Sequence, residues 1–311
     1  MDRNSVEWRG YWPAAPTPFD ADGAFAEDLM RSLLDQYVES GVHGVLINGS
    51  AGEWWAQSTE ERKRVAEVAV EAVAGRIPVV VGCTSFTAQQ VCELAAAATA
   101  AGADGVLATP PPYAHPTQDE IRRYYEEIDR AVELPLAVYN WPRGTAVEIE
   151  LDTARHLAEL EHVVAIKNST ADWLLVLDCI EALRDEVRLF ASLISPRGLA
   201  VLRELGGDGY IDGGALGAPF AVPFFEALWA GRLDEARHCA ARYARLMAGF
   251  VGRDFSGNFG SPSSQLKAAM AILGQPGGCV RAPLTPIEDE TRLAQIADVL
   301  SDCGLRSAAK A

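Results

Sequence analysis

Apolar, strand-like runs followed by helix-like segments recur eight times between Tyr11 and Gly231, and this alternation limits the possible folds more than any other feature of the chain. The runs lie at 11–19, 42–48, 78–82, 105–109, 135–140, 163–167, 187–192 and 209–213. The first carries Pro13, Pro16 and Pro18, so it predicts a short or irregular strand. The segments between them have helical spacing and recognisable ends. Leu29, Leu33, Leu34, Tyr37 and Val38 fall on one face of a helix over 27–40, which Gly41 stops. Ser58 with Glu61, and Thr117 with Glu120, have the spacing of capping boxes. Thr87 with Gln90 opens another helix, and Ser195-Pro196 opens a further one with proline at its first position. Regular alternation implies a parallel sheet, and eight units imply an α/β fold closed as a (β/α)8 TIM barrel. An open doubly wound sheet fits less well, because no glycine-rich dinucleotide loop follows the first strand. Residues 233–311 read as three more helices, at 233–251, 263–273 and 288–300. The expected division is a catalytic barrel over 1–232 and a three-helix appendage over 233–311.

Composition narrows the function. Hydrophobic residues make up 49% of the 311, enough for a large core. The formal net charge of −16 argues against nucleic acid or an anionic membrane as partner. An anionic substrate would therefore need a local cluster of donors. Six cysteines show no paired spacing, and five histidines show no metal spacing. The expectation is a reduced, cytoplasmic protein with no metal or organic cofactor. The N-terminus has no apolar signal core, and no apolar run approaches the ~18 residues of a membrane span.

The sixth run, Val163-Val164-Ala165-Ile166-Lys167, ends on a lysine and is followed by Asn168-Ser169-Thr170. An ammonium at the end of a buried strand must find a partner or lose its proton. Two readings stand on this stretch alone. Lys167 reaches water or a structural ion pair, or it is a desolvated nucleophile suited to Schiff-base chemistry. A barrel enzyme carries its site at the C-terminal strand ends. There the chain places Gly49-Ser50-Ala51-Gly52 after the second run, Tyr113 after the fourth, Tyr139 at the fifth, Lys167 at the sixth, and Ile211-Asp212 at the eighth. The amides and hydroxyl of the Gly49–Gly52 loop can hold a carboxylate, and the tyrosines can move protons.

These pieces resemble the dihydrodipicolinate synthase / N-acetylneuraminate lyase family of class I, pyruvate-dependent aldolases, over essentially the whole chain. Gly49-Ser50-Ala51-Gly52-Glu53 is similar to the family's Gly-Ser/Thr-Thr-Gly-Glu loop, and Tyr139-Asn140-Trp141-Pro142 to its Tyr-Asn-x-Pro motif. Ile166-Lys167 with Ser169 resembles the Schiff-base strand, and Leu205–Gly209 the approach to the last strand. The resemblance implies that Lys167 forms an imine with pyruvate or another 2-oxo acid. It implies that Tyr139 is the general acid/base and that Ser50 and Tyr113 complete its proton relay. Tyr113 would reach in from a neighbouring subunit, as part of a homotetramer built as a dimer of dimers. Gly49, Ser50 and Ala51 would bind the 2-oxo acid carboxylate, and Arg143, Ile211 and Asp212 would contact substrate. No cofactor is implied.

The chain also departs from the family pattern. Ala51 replaces a threonine. Gly144 stands where an arginine commonly grips the far carboxylate in dihydrodipicolinate synthases, with Arg143 one place earlier. The turn after the seventh run, Leu193-Ile194-Ser195-Pro196, is more apolar, and Trp54, Trp55 and Trp141 stand in the loops. The tryptophans read as packing, subunit contacts or substrate walls. Together the changes favour a bulkier or less charged aldehyde, or a deoxy sugar acid, as second substrate. The alternatives are 4-hydroxy-tetrahydrodipicolinate synthase, which joins pyruvate to aspartate semialdehyde, and a non-catalytic 2-oxo acid binding protein. Asp212 is expected to meet substrate hydroxyls, to pair with Arg143, or to be structural. The segment 253–258 is expected to join barrel to appendage.

Overall fold

In the computed structural model, which describes residues 1–306, eight parallel strands close into a barrel in the order of the chain. They are β1 (Gly10–Ala14), β2 (Val45–Ile47), β3 (Val79–Gly82), β4 (Gly105–Ala108), β5 (Leu136–Asn140), β6 (Val163–Asn168), β7 (Arg188–Ala191) and β8 (Gly209–Gly213). Each is buried along nearly its whole length, as strands covered on both faces must be. The seam between β1 and β8 is tight. A Cβ on Gly209 would collide with the carbonyl of Gly10 and with the ring of Phe190, so glycine is what lets the two strands meet.

The helices around the barrel are α1 (Glu27–Glu39), α2 (Thr59–Val73), α3 (Ala88–Ala101), α4 (Gln118–Asp129), α5 (Pro142–Thr145), α6 (Leu151–Ala158), α7 (Trp173–Leu183), α8 (Pro196–Glu204) and α9 (Ala218–Trp229). The expected capping boxes form at Ser58/Glu61 and Thr117/Glu120. Thr87 caps α3, but the Gln90 side chain faces Ser85 instead of completing a box. Helix α7 begins two residues later than the apolar pattern suggests, because Asp172 takes the N–H groups of Leu174 and Leu175. Helix α5 was not foreseen. It is a single turn with Pro142 at its start, too short for periodicity to reveal.

A C-terminal helical appendage follows: α10 (Leu233–Phe250), α11 (Pro262–Leu273) and α12 (Glu290–Asp302). The segment 253–258 does not join this appendage to the barrel. It links α10 to α11 within the appendage and borders the barrel mouth.

Two packed layers result. Trp8, Trp12, Leu46, Val80, Leu107, Ala137, Ala165, Phe190 and Ile211 fill the barrel interior. A larger shell, including Leu33, Val65, Val91, Ile121, Leu157, Ile180 and Phe224, lies between strands and helices. The period of two along β5 and β6 then decides what faces inward at the mouth. Ala137 and Ala165 belong to the interior, so Tyr139 and Lys167, two residues further on, also face inward.

Candidate active site

Tyr139 and Lys167 are register partners on adjacent strands, and Phe190 is the partner of Lys167 on its other side. Parallel pairing puts their side chains on one face, so the amine and the phenol ring share one corner of the barrel. The Lys167 Nζ lies 4.0 Å from the centre of the Tyr139 ring. Lys167 is only 6% exposed and has no carboxylate within salt-bridge distance among the described residues. Burial lowers its pKa to about 7, opposed by the charge of Asp212. A large fraction of the amine is then neutral near neutral pH, which a nucleophile needs.

Burial also raises the Tyr139 phenol, while hydroxyls of Ser169 and Ser50 act in the other direction by hydrogen bonding. Ser50 opens the first of two short 3-10 turns after β2, Ser50–Gly52. The strand ends just after Tyr139 and Lys167 are tied together. Asn140 donates from Nδ2 to Glu148 Oε1 at 2.9 Å and to Asn168 Oδ1 at 3.0 Å, and Thr170 donates to Glu148 Oε2 at 2.9 Å. Glu148 was not singled out from sequence. Its only signal was a carboxylate beside the buried Ile149.

One cavity of about 750 Å³ is lined by Ser50, Ala51, Tyr139, Lys167, Ile211 and Asp212, with Arg143 also on its wall. Gly49 lies just behind the loop, against Leu46. Tyr113 is not on this wall. It is 89% exposed and held at φ +72°, a conformation that non-glycine residues seldom adopt. An aromatic side chain held out in this way is available to another molecule rather than to its own barrel.

Asp212 and Arg143 do not pair. Asp212 follows Ile211 and turns away from the interior. Its Oδ2 accepts from Tyr243 of α10 at 2.7 Å and from Tyr11 at 3.1 Å, and its Oδ1 accepts the N–H of Gly213 at 2.7 Å. Burial raises its pKa and these donors oppose the rise. Arg143, on the exposed turn α5, reaches Asp254 Oδ2 at 3.0 Å instead.

The loop that carries Ser50 has an unforeseen anchor. Glu53 closes that turn in a left-handed conformation and is fully buried. It pairs with Lys267 of α11 at 2.7 Å, and its Oε2 accepts the N–H of Arg281 at 3.0 Å. Lys267 Nζ also donates to the carbonyls of Thr17 and Cys279. The sequence held a clue, since Lys267 lies four residues after Ser263 and three before Met270, on the buried stripe of its helix. Lys267→Met is expected to cost about 3–5 kcal/mol in chemical denaturation, because it strands Glu53 as a buried, unpaired charge. A loss below about 1 kcal/mol would mean that the pair does not anchor the loop.

Among the described residues, no three His, Cys, Asp or Glu side chains are grouped to hold a metal, and no helix is long and apolar enough to cross a membrane.

Known proteins resemble the chain in sequence and fold. A family model described as the dihydrodipicolinate synthetase family matches residues 7–302. A 4-hydroxy-tetrahydrodipicolinate synthase of Syntrophobacter fumaroxidans is 34% identical over 291 residues, covering 92% of this chain and 96% of its own. A Rhizobium meliloti protein described as an uncharacterized DapA-like lyase is 32% identical over 292 residues, covering 91% and 92%. A crystal structure of the chloride-inhibited dihydrodipicolinate synthase from Acinetobacter baumannii, complexed with pyruvate, superposes with a TM-score of 0.86 at 29% identity. That superposition covers 96% of this chain and 99% of the other.

Proposed function

The chain belongs to the dihydrodipicolinate synthetase family of lyases, and from that premise we propose that it is a Schiff-base aldolase whose Lys167 condenses with pyruvate or a related 2-oxo acid. The second substrate is an aldehyde other than aspartate semialdehyde, or a deoxy sugar acid. The observation that carries this reading is the buried Lys167 amine, without a carboxylate partner, packed on the ring of Tyr139.

The steps follow from the side chains. Neutral Lys167 adds to the ketone carbon, and Tyr139 donates a proton to the oxygen that leaves as water. The resulting iminium draws electrons from C3, so loss of a C3 proton gives an enamine rather than a free carbanion. Ser50 and the amides of Ser50 and Ala51 hold the carboxylate of the 2-oxo acid. Ser50 passes protons between Tyr139 and solvent, with Tyr113 of a neighbouring copy completing the relay. A homo-oligomer, arranged as a dimer of dimers, supplies that copy. Asp212 acts through charge, as the buried anion that favours the positive iminium.

The acceptor follows from what stands opposite the lysine. Arg143 is engaged by Asp254, and position 144 offers no side chain to grip a second carboxylate. Aspartate semialdehyde added to the pyruvate-loaded protein should condense only slowly. A rate normal for a dihydrodipicolinate synthase would overturn this part of the reading.

The pH dependence follows from the lysine. Its depressed pKa of about 7 means that the reactive neutral form is lost as pH falls below that value. Imine formation should therefore be about tenfold slower at about pH 6 than on its plateau above about pH 8. Stopped-flow trapping with pyruvate reads this directly. A rate still climbing steeply toward pH 10 would mean an ordinary, solvated lysine.

A further inference from the structure

The cavity above Lys167 is larger than a three-carbon acid requires. Its volume of about 750 Å³ lies within the ~300–1,000 Å³ of pockets that enclose drug-sized ligands. Much of the additional wall is aromatic. Trp141 lies nearly flat on Tyr139, with ring centres 5.9 Å apart and planes 20° from parallel. Phe255 meets Trp141 edge to face at 5.6 Å. Trp54 and Trp55 line the same cavity and meet each other edge to face. An aromatic wall thus runs from the proton-transferring phenol outward to the rim.

The backbone is fitted to this wall. A Cβ at Gly144 would collide with Cδ1 and Nε1 of Trp141, so the indole occupies the space that any side chain at 144 would need. Arg62 lies over Trp54 at 5.1 Å and holds that ring from behind.

Some polar groups on the wall are already occupied. Thr109, Thr145 and Thr170 donate to Pro110 O, Trp141 O and Glu148 Oε2, and Gln265 donates to Phe250 O. Arg143 is held by Asp254. Arg253, exposed at the rim, and Ser263 are among those not so engaged. A polyhydroxylated acceptor would lose its hydration against the aromatic part of this wall, where ring faces return no conventional hydrogen bonds. A flat apolar ring would exchange water for indole faces.

We propose that the second substrate is an aromatic aldehyde, bound with its ring against Trp141 and its carbonyl toward Tyr139. The proposal rests on the reading that Lys167 forms an enamine with pyruvate. In the step itself, enamine C3 forms a bond to the aldehyde carbon. The carbonyl π electrons move to the aldehyde oxygen, which takes the proton of Tyr139. Water then hydrolyses the iminium and returns the lysine amine. Pyruvate and aryl aldehyde thus give a 4-aryl-4-hydroxy-2-oxobutanoate with no oxidant or reductant, and the same site runs the cleavage in reverse.

The test presents the full-length protein with pyruvate and either benzaldehyde or glyceraldehyde. Products are quantified by mass spectrometry, and the borohydride-reduced pyruvate adduct is measured in parallel. The expected kcat/KM is at least about tenfold higher for benzaldehyde. Trp141→Ala should bring the ratio of the two close to one, whereas Trp141→Phe, which keeps a ring against Tyr139, should preserve most of the preference. The ratio reads recognition even if either variant lowers both rates. Equal or better use of glyceraldehyde overturns the proposal, as does an unchanged ratio in Trp141→Ala. A pyruvate adduct with no aryl product overturns the proposal alone. Absence of the adduct removes the enamine reading and the proposal with it.

Discussion

Lys167→Met is expected to abolish turnover, by about ten-thousandfold or more, and to leave the protein at least as stable as before. The first effect follows from the chemistry, because without the amine no imine forms and the C3 carbanion loses its electron sink. The second follows from the packing. The native lysine is buried, its pKa is depressed to about 7, and it has no carboxylate within salt-bridge distance among the described residues. Methionine fills similar space without a charge to desolvate. Removing the lysine should therefore return on the order of 1–3 kcal/mol at neutral pH, visible as a higher denaturation midpoint. A structural lysine behaves in the opposite way, as Lys267 should, because its removal strands a buried partner. Lower stability together with retained turnover would place Lys167 in the structural class and end the catalytic reading.

Tyr139→Phe should lower kcat by about a hundredfold to ten-thousandfold, the usual contribution of a positioned acid/base group. Only one oxygen is lost, and the ring that supports Lys167 and Trp141 remains. The variant should still form the pyruvate imine, but slowly, and KM for pyruvate should change much less than kcat. Single-turnover trapping separates the two steps. Native kcat in Tyr139→Phe would move the proton transfers to Ser50, Ser169 or water.

The features written locally in the sequence were the legible ones. The capping boxes at Ser58 and Thr117 require only neighbours three residues apart, and both form as expected. The inward direction of Tyr139 and Lys167 follows from the two-residue period of strands, and their register brings them together. Features that join distant segments were not legible. The Arg143–Asp254 pair depends on how the turn after α10 folds back over α5, which no local pattern encodes. Asp212 could be placed at a strand end but not assigned its donors, because Tyr243 comes from a helix that packs there only in three dimensions. Trp141 and Gly144 each depart from the family pattern as separate positions in the sequence. Only the collision of a Cβ with the indole ties them into one change.

The most direct test of the central claim is intact-mass analysis after incubation with pyruvate and sodium borohydride, with peptide mapping of the modified site. The predicted result is one increment per chain, equal to pyruvic acid less one oxygen atom, located on Lys167 and missing from Lys167→Met. An increment on another lysine, or one that persists in Lys167→Met, would contradict the assignment of Lys167 as the Schiff-base residue.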